Sequence, residues 1–160
     1  LLRDRAILAA FYRAAREDVI DDGVALPLEH CTVLRNGSDV TIVSWGAMIK
    51  EALEVAERLA AEEIRAEVID VATLKPLDSA TILESVARTG RLVIVHEAPV
   101  FLGLGAELAA RITEECFYSL EAPVLRVGGY HTPYPPSRLE EEYLPDLDRV
   151  LDAVDRAMAY

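Results

Sequence analysis

The feature that most constrains the fold of this chain is a strand–loop–helix pattern between Arg91 and Glu115. The run 92–95 is short, apolar and rich in β-branched residues, which is typical of a strand buried on both faces. The chain then turns polar at 96–99, and Pro99 is expected to stop further pairing. After Gly103 and Gly105, apolar side chains recur at helical spacing: Leu108, Ile112 and Cys116. In an open α/β sheet such a junction lies at the carboxyl ends of the strands, where functional loops collect.

Strand patterns also precede this unit. Residues 31–35 are predicted to form a short edge strand, and Val40–Ser44 a second strand. The Asn36-Gly37 pair between them is a strong turn signal. The sequence therefore predicts that these two strands form an antiparallel hairpin.

The rest of the chain alternates helices and strands. Helices are predicted over 1–19, after Gly46, between an Asp78 N-cap and Gly90, and after Pro145 and Asp146. Further strands are predicted at 67–71 and 123–127. Short right-handed crossovers between such units give a mostly parallel sheet with helices on both faces. The predicted fold class is therefore three-layered α/β.

The net charge of the chain limits the classes of partner that it can attract. The 160 residues carry 16 basic and 28 acidic side chains, a net charge of −12, which disfavours nucleic acid and anionic membranes and favours a basic protein partner. No apolar run is long enough to span a membrane, and no signal peptide is visible. The first residue is Leu1 rather than Met, so we expect a fragment of a longer chain. The two cysteines, Cys31 and Cys116, form no metal or disulfide pattern, which favours a reducing compartment.

Two short motifs could carry chemistry. Gly103-x-Gly105 resembles the start of a dinucleotide fingerprint, but Leu108 stands where the third glycine belongs, which favours a plain loop-to-helix turn. His96-Glu97 is the best acid/base pair by position, yet no nucleophile lies near it in sequence. We therefore expect His96 to be structural. The three histidines have no metal-type spacing, so no catalytic, cofactor-binding or metal-binding residue is predicted.

Several longer motifs, in order, resemble one family. They are GSDVTIVSWG at 37–46, EVIDVATLKPLD at 67–78, RLVIVHEAP at 91–99, GAE at 105–107, EECFYSLEAPVLRVGGYHTPYP at 114–135 and YLPD at 143–146. Together they resemble the beta subunit of the thiamine-diphosphate-dependent 2-oxoacid dehydrogenases. The GY-x-TP-Y-P string at 129–135 is most similar to the branched-chain (2-oxoisovalerate) members. Two departures stand out: the loop after the HEAP motif is Phe-Leu-Gly-Leu-Gly instead of Thr-Gly-Gly-Phe-Gly, and His131 replaces a common Asp.

The resemblance covers residues 12–160 and implies the C-terminal domain of a transketolase-like fold, a mixed five-stranded α/β sheet with one antiparallel strand. It implies a linker helix and extended segment at 1–30, and the domain itself at 31–160. The whole enzyme is expected to decarboxylate a 2-oxoacid on thiamine diphosphate with magnesium, and to transfer the acyl group to a lipoyl arm. This domain is expected to bind no cofactor. The expected partners are the alpha subunit, a second beta subunit and the lipoyl acyltransferase core, in the cytoplasm or, in a eukaryote, the mitochondrial matrix.

Two groups of residues are predicted to contact partners. The apolar run Phe101, Leu102 and Leu104 is expected to pack on a neighbouring domain or subunit. The C-terminal group is expected to dock the basic binding domain of the acyltransferase, through Asp148, Asp152, Asp155 and Tyr160. The alternative is a free-standing Rossmann-like or flavodoxin-like binding domain.

Overall fold

The computed structural model describes residues 27–160, so the helix predicted over 1–19 and most of the predicted segment 1–30 lie outside the described residues. Five strands form one sheet: β1 Thr32–Arg35, β2 Val40–Ser44, β3 Ala66–Asp70, β4 Leu92–Pro99 and β5 Leu125–Gly129. The α-helices are α1 Met48–Ala61, α2 Ser79–Thr89, α3 Leu104–Cys116, the single turn α4 Glu140–Tyr143, and α5 Leu147–Met158.

The sheet has the order β1-β3-β2-β4-β5, and four of its strands are parallel. The edge strand β1 pairs antiparallel with β3. Helices α1 and α5 pack on one face of the sheet, and α2 and α3 on the other. Because both faces are covered, the central strands are apolar on both sides, with Ile42, Val43, Val93 and Ile94 fully buried. The predicted three-layer, mixed five-stranded α/β fold is confirmed.

The predicted hairpin between the first two strands is wrong. β3 lies between β1 and β2: the chain reverses direction after β1, but residues 36–39 cross the start of β3 before β2 begins. The backbone N–H groups of Ser38 and Asp39 donate to the carbonyl oxygen of Arg65, at 2.9 and 3.1 Å. The Asp39 carboxylate in turn accepts from the Arg65 N–H at 2.7 Å. These bonds tie the crossing to the residue before β3.

The helix ends follow the local signals. Asp78 caps α2 by accepting from the Thr81 N–H at 3.1 Å, and Gly90 ends the helix with a φ of 68°, a left-handed conformation that favours glycine. Asp146 caps α5 by accepting from the Arg149 N–H at 2.8 Å. In α3, the predicted apolar side is buried: Leu108, Ile112 and Cys116.

β4 is longer than the sequence suggested. Pro99 does not prevent pairing, because it is the last residue of the strand and lies opposite Gly129 of β5. The next residue, Val100, donates its N–H to the Gly129 carbonyl at 3.2 Å, after a shift in register beyond Val95. His96 and Glu97 therefore belong to a strand and not to a loop.

Candidate functional site

The carboxyl ends of β2 and β4 border the crevice in which open α/β sheets most often bind ligands, because the helices that follow these strands lie on opposite faces. Trp45 directly follows β2, and its ring stacks on the His96 ring of β4 with 5.3 Å between centroids and 13° between planes. Both rings lie on the face of the sheet that α2 and α3 cover.

His96 is fully buried, and neither of its ring nitrogens has a hydrogen-bond partner among residues 27–160. Burial lowers the pKa of the imidazole, because the charged form loses its hydration, and the positive charge of Arg126 acts in the same direction. The neighbouring Glu97 is exposed, as expected for consecutive strand residues that point to opposite faces. His96 and Glu97 therefore do not form an acid/base pair. His96 is thus buried in the core, on the side of the sheet that α3 covers.

Gly103 and Gly105 make room for the His96 ring. A Cβ on Gly103 would lie 2.7 Å from Cε1 of His96, and a Cβ on Gly105 would lie 2.5 Å from its Nε2. On the β5 side, a Cβ on Gly128 would lie 3.1 Å from Cε1. The glycine pattern that resembles a nucleotide fingerprint is thus explained by close packing of a buried ring.

The loop 100–103 separates the three predicted contact residues. Phe101 is 57% exposed and packs on His131, with 4.3 Å between ring centroids, so the two departures from the family pattern contact each other. Leu102 is 85% exposed and has a φ of 57°, which is strained for a bulky side chain. Leu104 begins α3 and is half-buried. Of these three residues, Phe101 and Leu102 are largely exposed and Leu104 is not.

An aromatic group beside this loop was not predicted from the sequence. Tyr143 is buried and contacts two neighbours edge to face, Tyr134 at 5.1 Å and Tyr130 at 6.5 Å between centroids. The Arg149 guanidinium lies 4.5 Å above the Tyr130 ring and donates to the carbonyl oxygens of Gly128 and Leu144. The sequence signal was the three tyrosines in the proline-rich segment and α4, although their spacing has no regular period.

The end of α5 and Tyr160 lie at the opposite edge of the sheet from the loop 100–103. The Arg91 side chain, at the start of β4, donates to the Ala157 carbonyl at 3.1 Å, which places the end of α5 at the amino ends of the parallel strands. Tyr160 is 74% exposed there. The three predicted aspartates, Asp148, Asp152 and Asp155, are all exposed. Asp152 forms an ion pair with Arg156. Tyr160 therefore lies away from the loop 100–103, whereas Asp148 lies in the first turn of α5, beside Arg149, which bonds Gly128 at the carboxyl end of β5.

A groove of about 970 Å³ runs between α3 and the segment before β5, and the sequence reading missed it. Its walls are mostly small or apolar, with Ala106, Ala109 and Val124 among them, and Phe117 and Tyr118 are exposed at one end. Residues 27–160 contain no group of three His, Cys, Asp or Glu side chains arranged to hold a metal. Over the same range, no helix is long and apolar enough to cross a membrane.

Comparison with known proteins gives a consistent result. Residues 29–150 match the family model described as "Transketolase, C-terminal domain". The chain is 54% identical over 136 residues to the pyruvate dehydrogenase E1 component subunit beta of Leifsonia xyli, covering 84% of this chain and 40% of the relative. It is 52% identical over 133 residues to the 3-methyl-2-oxobutanoate dehydrogenase subunit beta of Mycobacterium tuberculosis, covering 82% and 38%. The chain thus spans about two fifths of the curated relatives that it matches.

A solved structure supports the fold. It is titled "Split gene transketolase, inactive beta4 tetramer", and it is similar to this chain with a TM-score of 0.75 and 36% identity. The match covers 89% of this chain and 46% of that one.

Proposed function

We propose, since this chain belongs to the family of transketolase C-terminal domains, that it is the C-terminal domain of the beta subunit of a thiamine-diphosphate-dependent 2-oxoacid dehydrogenase. The observation that carries this proposal is the identity of 52–54%, over more than four fifths of the chain, to beta subunits of two such dehydrogenases. The whole enzyme decarboxylates a 2-oxoacid oxidatively and transfers the acyl group to a lipoyl group.

For the substrate we propose a branched-chain 2-oxoacid, 2-oxoisovalerate. The support is the GY-x-TP-Y-P string at 129–135, whose residues lie at the carboxyl edge of the sheet, in β5 and the loop that follows. The two relatives above carry a pyruvate name and a branched-chain name, so sequence identity alone does not separate the two substrates.

For this domain we propose assembly and docking as its own work. Thiamine diphosphate and magnesium belong to the whole enzyme, and we assign them no contact in residues 31–160. The support is that the rings of Trp45 and His96 stack on each other beside the crevice in which a free-standing Rossmann-like domain would hold its ligand. His96 is also enclosed and neutral, so it offers no proton at this crevice.

The loop 100–103 and Tyr160 lie at opposite edges of the sheet, and this separation supports two different partners. The loop 100–103 exposes Phe101 and Leu102, and the backbone of Leu102 is strained. Exposed apolar side chains in a strained loop are expected where a partner covers them. We assign this edge to the alpha subunit. The opposite edge, with Tyr160, we assign to the lipoyl acyltransferase core, with a second beta subunit completing the assembly. The two free cysteines suit a reducing compartment, the cytoplasm or the mitochondrial matrix.

The experiment is reconstitution. The complete beta polypeptide that contains this domain is co-expressed with its alpha subunit, and decarboxylation is measured with 2-oxoisovalerate and with pyruvate in the presence of thiamine diphosphate and Mg²⁺. We expect a higher kcat/KM for 2-oxoisovalerate. Preference for pyruvate would overturn the substrate. Absence of turnover with either acid, despite a formed complex, would overturn the assignment as a dehydrogenase.

A further inference from the structure

A small cavity of about 360 Å³ lies at the carboxyl edge of the sheet, beside β4. Its walls come from the end of β4, from the loop after β5 and from α4: Glu97, Ala98, Pro99, Thr132, Tyr134 and Tyr143.

The cavity is negatively charged, and among residues 27–160 no lysine or arginine lines it. The Glu97 carboxylate is exposed and forms no ion pair within residues 27–160. The Glu140 carboxylate accepts a hydrogen bond from the Tyr134 hydroxyl. Glu140 likewise forms no ion pair within residues 27–160. Burial first, and then Glu140 and Glu97, raise the pKa of the Tyr134 phenol, so it stays neutral at physiological pH.

Two aromatic rings form the other walls. Tyr134 and Tyr143 meet at 69° with 5.1 Å between centroids, so their ring faces point in different directions around the cavity. Tyr143 is held firmly, because its ring packs directly against the backbone of β5: a Cβ on Gly129 would lie 2.5 Å from its Cζ. Aromatic faces attract cations, and a neighbouring carboxylate adds to that attraction.

We propose that this cavity binds the guanidinium group of an arginine side chain from a partner polypeptide. A metal cation does not suit the cavity, because no three carboxylate, imidazole or thiol groups converge there within the described residues. A guanidinium fits better than an ammonium, since its planar group can stack on one ring while its N–H groups donate to Glu97.

The position of the cavity indicates a polypeptide as the source of the arginine. Pro99 and Thr132, in its wall, are two residues and one residue away in sequence from Phe101 and His131, which pack on each other at the exposed loop. A charged anchor next to a large exposed apolar side chain is the usual composition of a protein interface. Identifying that polypeptide as the alpha subunit rests on the function proposed above.

The first test uses a small probe. Tyrosine ring resonances of the 160-residue chain are followed by NMR during titration with N-acetylarginine amide, and with the neutral, nearly isosteric N-acetylcitrulline amide. We expect saturable shifts for the arginine probe alone. Affinity should fall about fivefold in Glu97→Gln and in Tyr134→Leu, and stay within about twofold of wild type in Tyr134→Phe and in the control Glu141→Gln. Equal shifts from both probes, or unchanged affinity in Glu97→Gln, would overturn the proposal.

The second test uses the complex. The dissociation constant of the complete beta polypeptide with the alpha subunit is measured for wild type, Glu97→Gln and Glu141→Gln. We expect about tenfold weaker assembly for Glu97→Gln only, and equal affinities for the two variants would overturn the arginine anchor. If the wild-type chains do not assemble while the arginine probe binds selectively, the arginine cavity is supported and the proposed function fails.

Discussion

His96 shows how a residue type that suggests chemistry can serve packing. Its ring is enclosed by Trp45 and by glycines on α3 and β5, and its nitrogens have no partner among residues 27–160. A histidine followed by glycines also occurs at catalytic and nucleotide sites, but the sequence favoured a structural histidine, because no nucleophile and no third glycine accompany it. The distances show that the ring excludes a side chain first at Gly105, whereas at Gly103 and Gly128 the nearest atoms are the carbonyl oxygens of Pro99 and Ala98.

The first prediction at this scale concerns pH. The pKa of His96 is lowered in the folded chain, so below about pH 6.5 the unfolded chain binds a proton that the folded chain excludes. Stability should therefore be complete above pH 6.5 and decrease as the pH falls below it, by up to about 1.4 kcal/mol for each pH unit.

Urea unfolding between pH 5 and 8 measures this dependence. The His96→Asn variant serves as the control, because it should lose the slope in this window whatever its overall stability. The lowered pKa values of Asp39 and Asp78 act only in a more acidic range, in which stability is lost as these carboxylates are protonated. An unchanged slope in His96→Asn would assign the effect to other groups.

A second prediction concerns Gly105. Replacing it with Ala places a methyl group 2.5 Å from the His96 Nε2 and 3.3 Å from Cγ2 of Ile94, in a core that cannot expand freely. We expect the free energy of unfolding to fall by about 1–3 kcal/mol. Ala110→Ser, on the exposed side of the same helix, should change it by less than about 0.5 kcal/mol. Comparable denaturation midpoints for the two variants would show that the ring is not tightly enclosed.

At the scale of secondary-structure elements, the sequence predicted the ends of helices correctly but predicted the wrong pairing for strand β1. Asp78, Gly90 and Asp146 end helices where the sequence indicates, because capping depends on a few neighbouring atoms. The Asn36-Gly37 signal predicted a hairpin that does not form, since the pairing of β1 with β3 depends on residues thirty or more positions away. The same limit explains why the tyrosine group and its cavity were not predicted.

The prediction for the segment between β1 and β2 is that Gly37→Ala strongly destabilises the fold. A Cβ at this position would lie 2.2 Å from the Glu67 nitrogen and 2.5 Å from the Arg65 carbonyl oxygen, and backbone atoms cannot rotate away. We expect a loss of about 2 kcal/mol or more in the free energy of unfolding. Asn36→Ser, at the exposed neighbouring residue, is the matched variant and should stay within about 1 kcal/mol of wild type. Equal free energies of unfolding for the two variants would show that Gly37 does not pack against the backbone at the start of β3.

At the scale of the whole molecule, the sheet separates two surfaces. The loop 100–103 and the tyrosine cavity lie at its carboxyl edge, and Tyr160 lies at its amino edge. The sequence named residues on both surfaces, because exposed apolar or aromatic side chains stand out in a chain of high negative charge. It could not show that Leu104 is half-buried while Phe101 is 57% exposed.

The prediction for the amino edge is that deletion of Tyr160 weakens binding to the subunit-binding domain of the acyltransferase. The deletion removes an exposed aromatic contact at the end of α5, and we expect a cost of about 1–3 kcal/mol. The association rate should fall as salt rises, because a chain of charge −12 attracts a basic partner. Surface plasmon resonance measures both; equal affinities with and without Tyr160, at low and high salt, would exclude this docking site.

The carboxyl edge offers the most direct measurement of the proposal that this domain works in assembly. Sedimentation velocity of the complete beta polypeptide with its alpha subunit compares wild type, Phe101→Ser and the control Leu34→Ser, which changes an exposed leucine on the outer strand β1. We predict that Phe101→Ser weakens the complex while its unfolding transition is unchanged, and that Leu34→Ser assembles like wild type. A Phe101→Ser chain that assembles fully but turns over more slowly would make the loop catalytic and contradict this account.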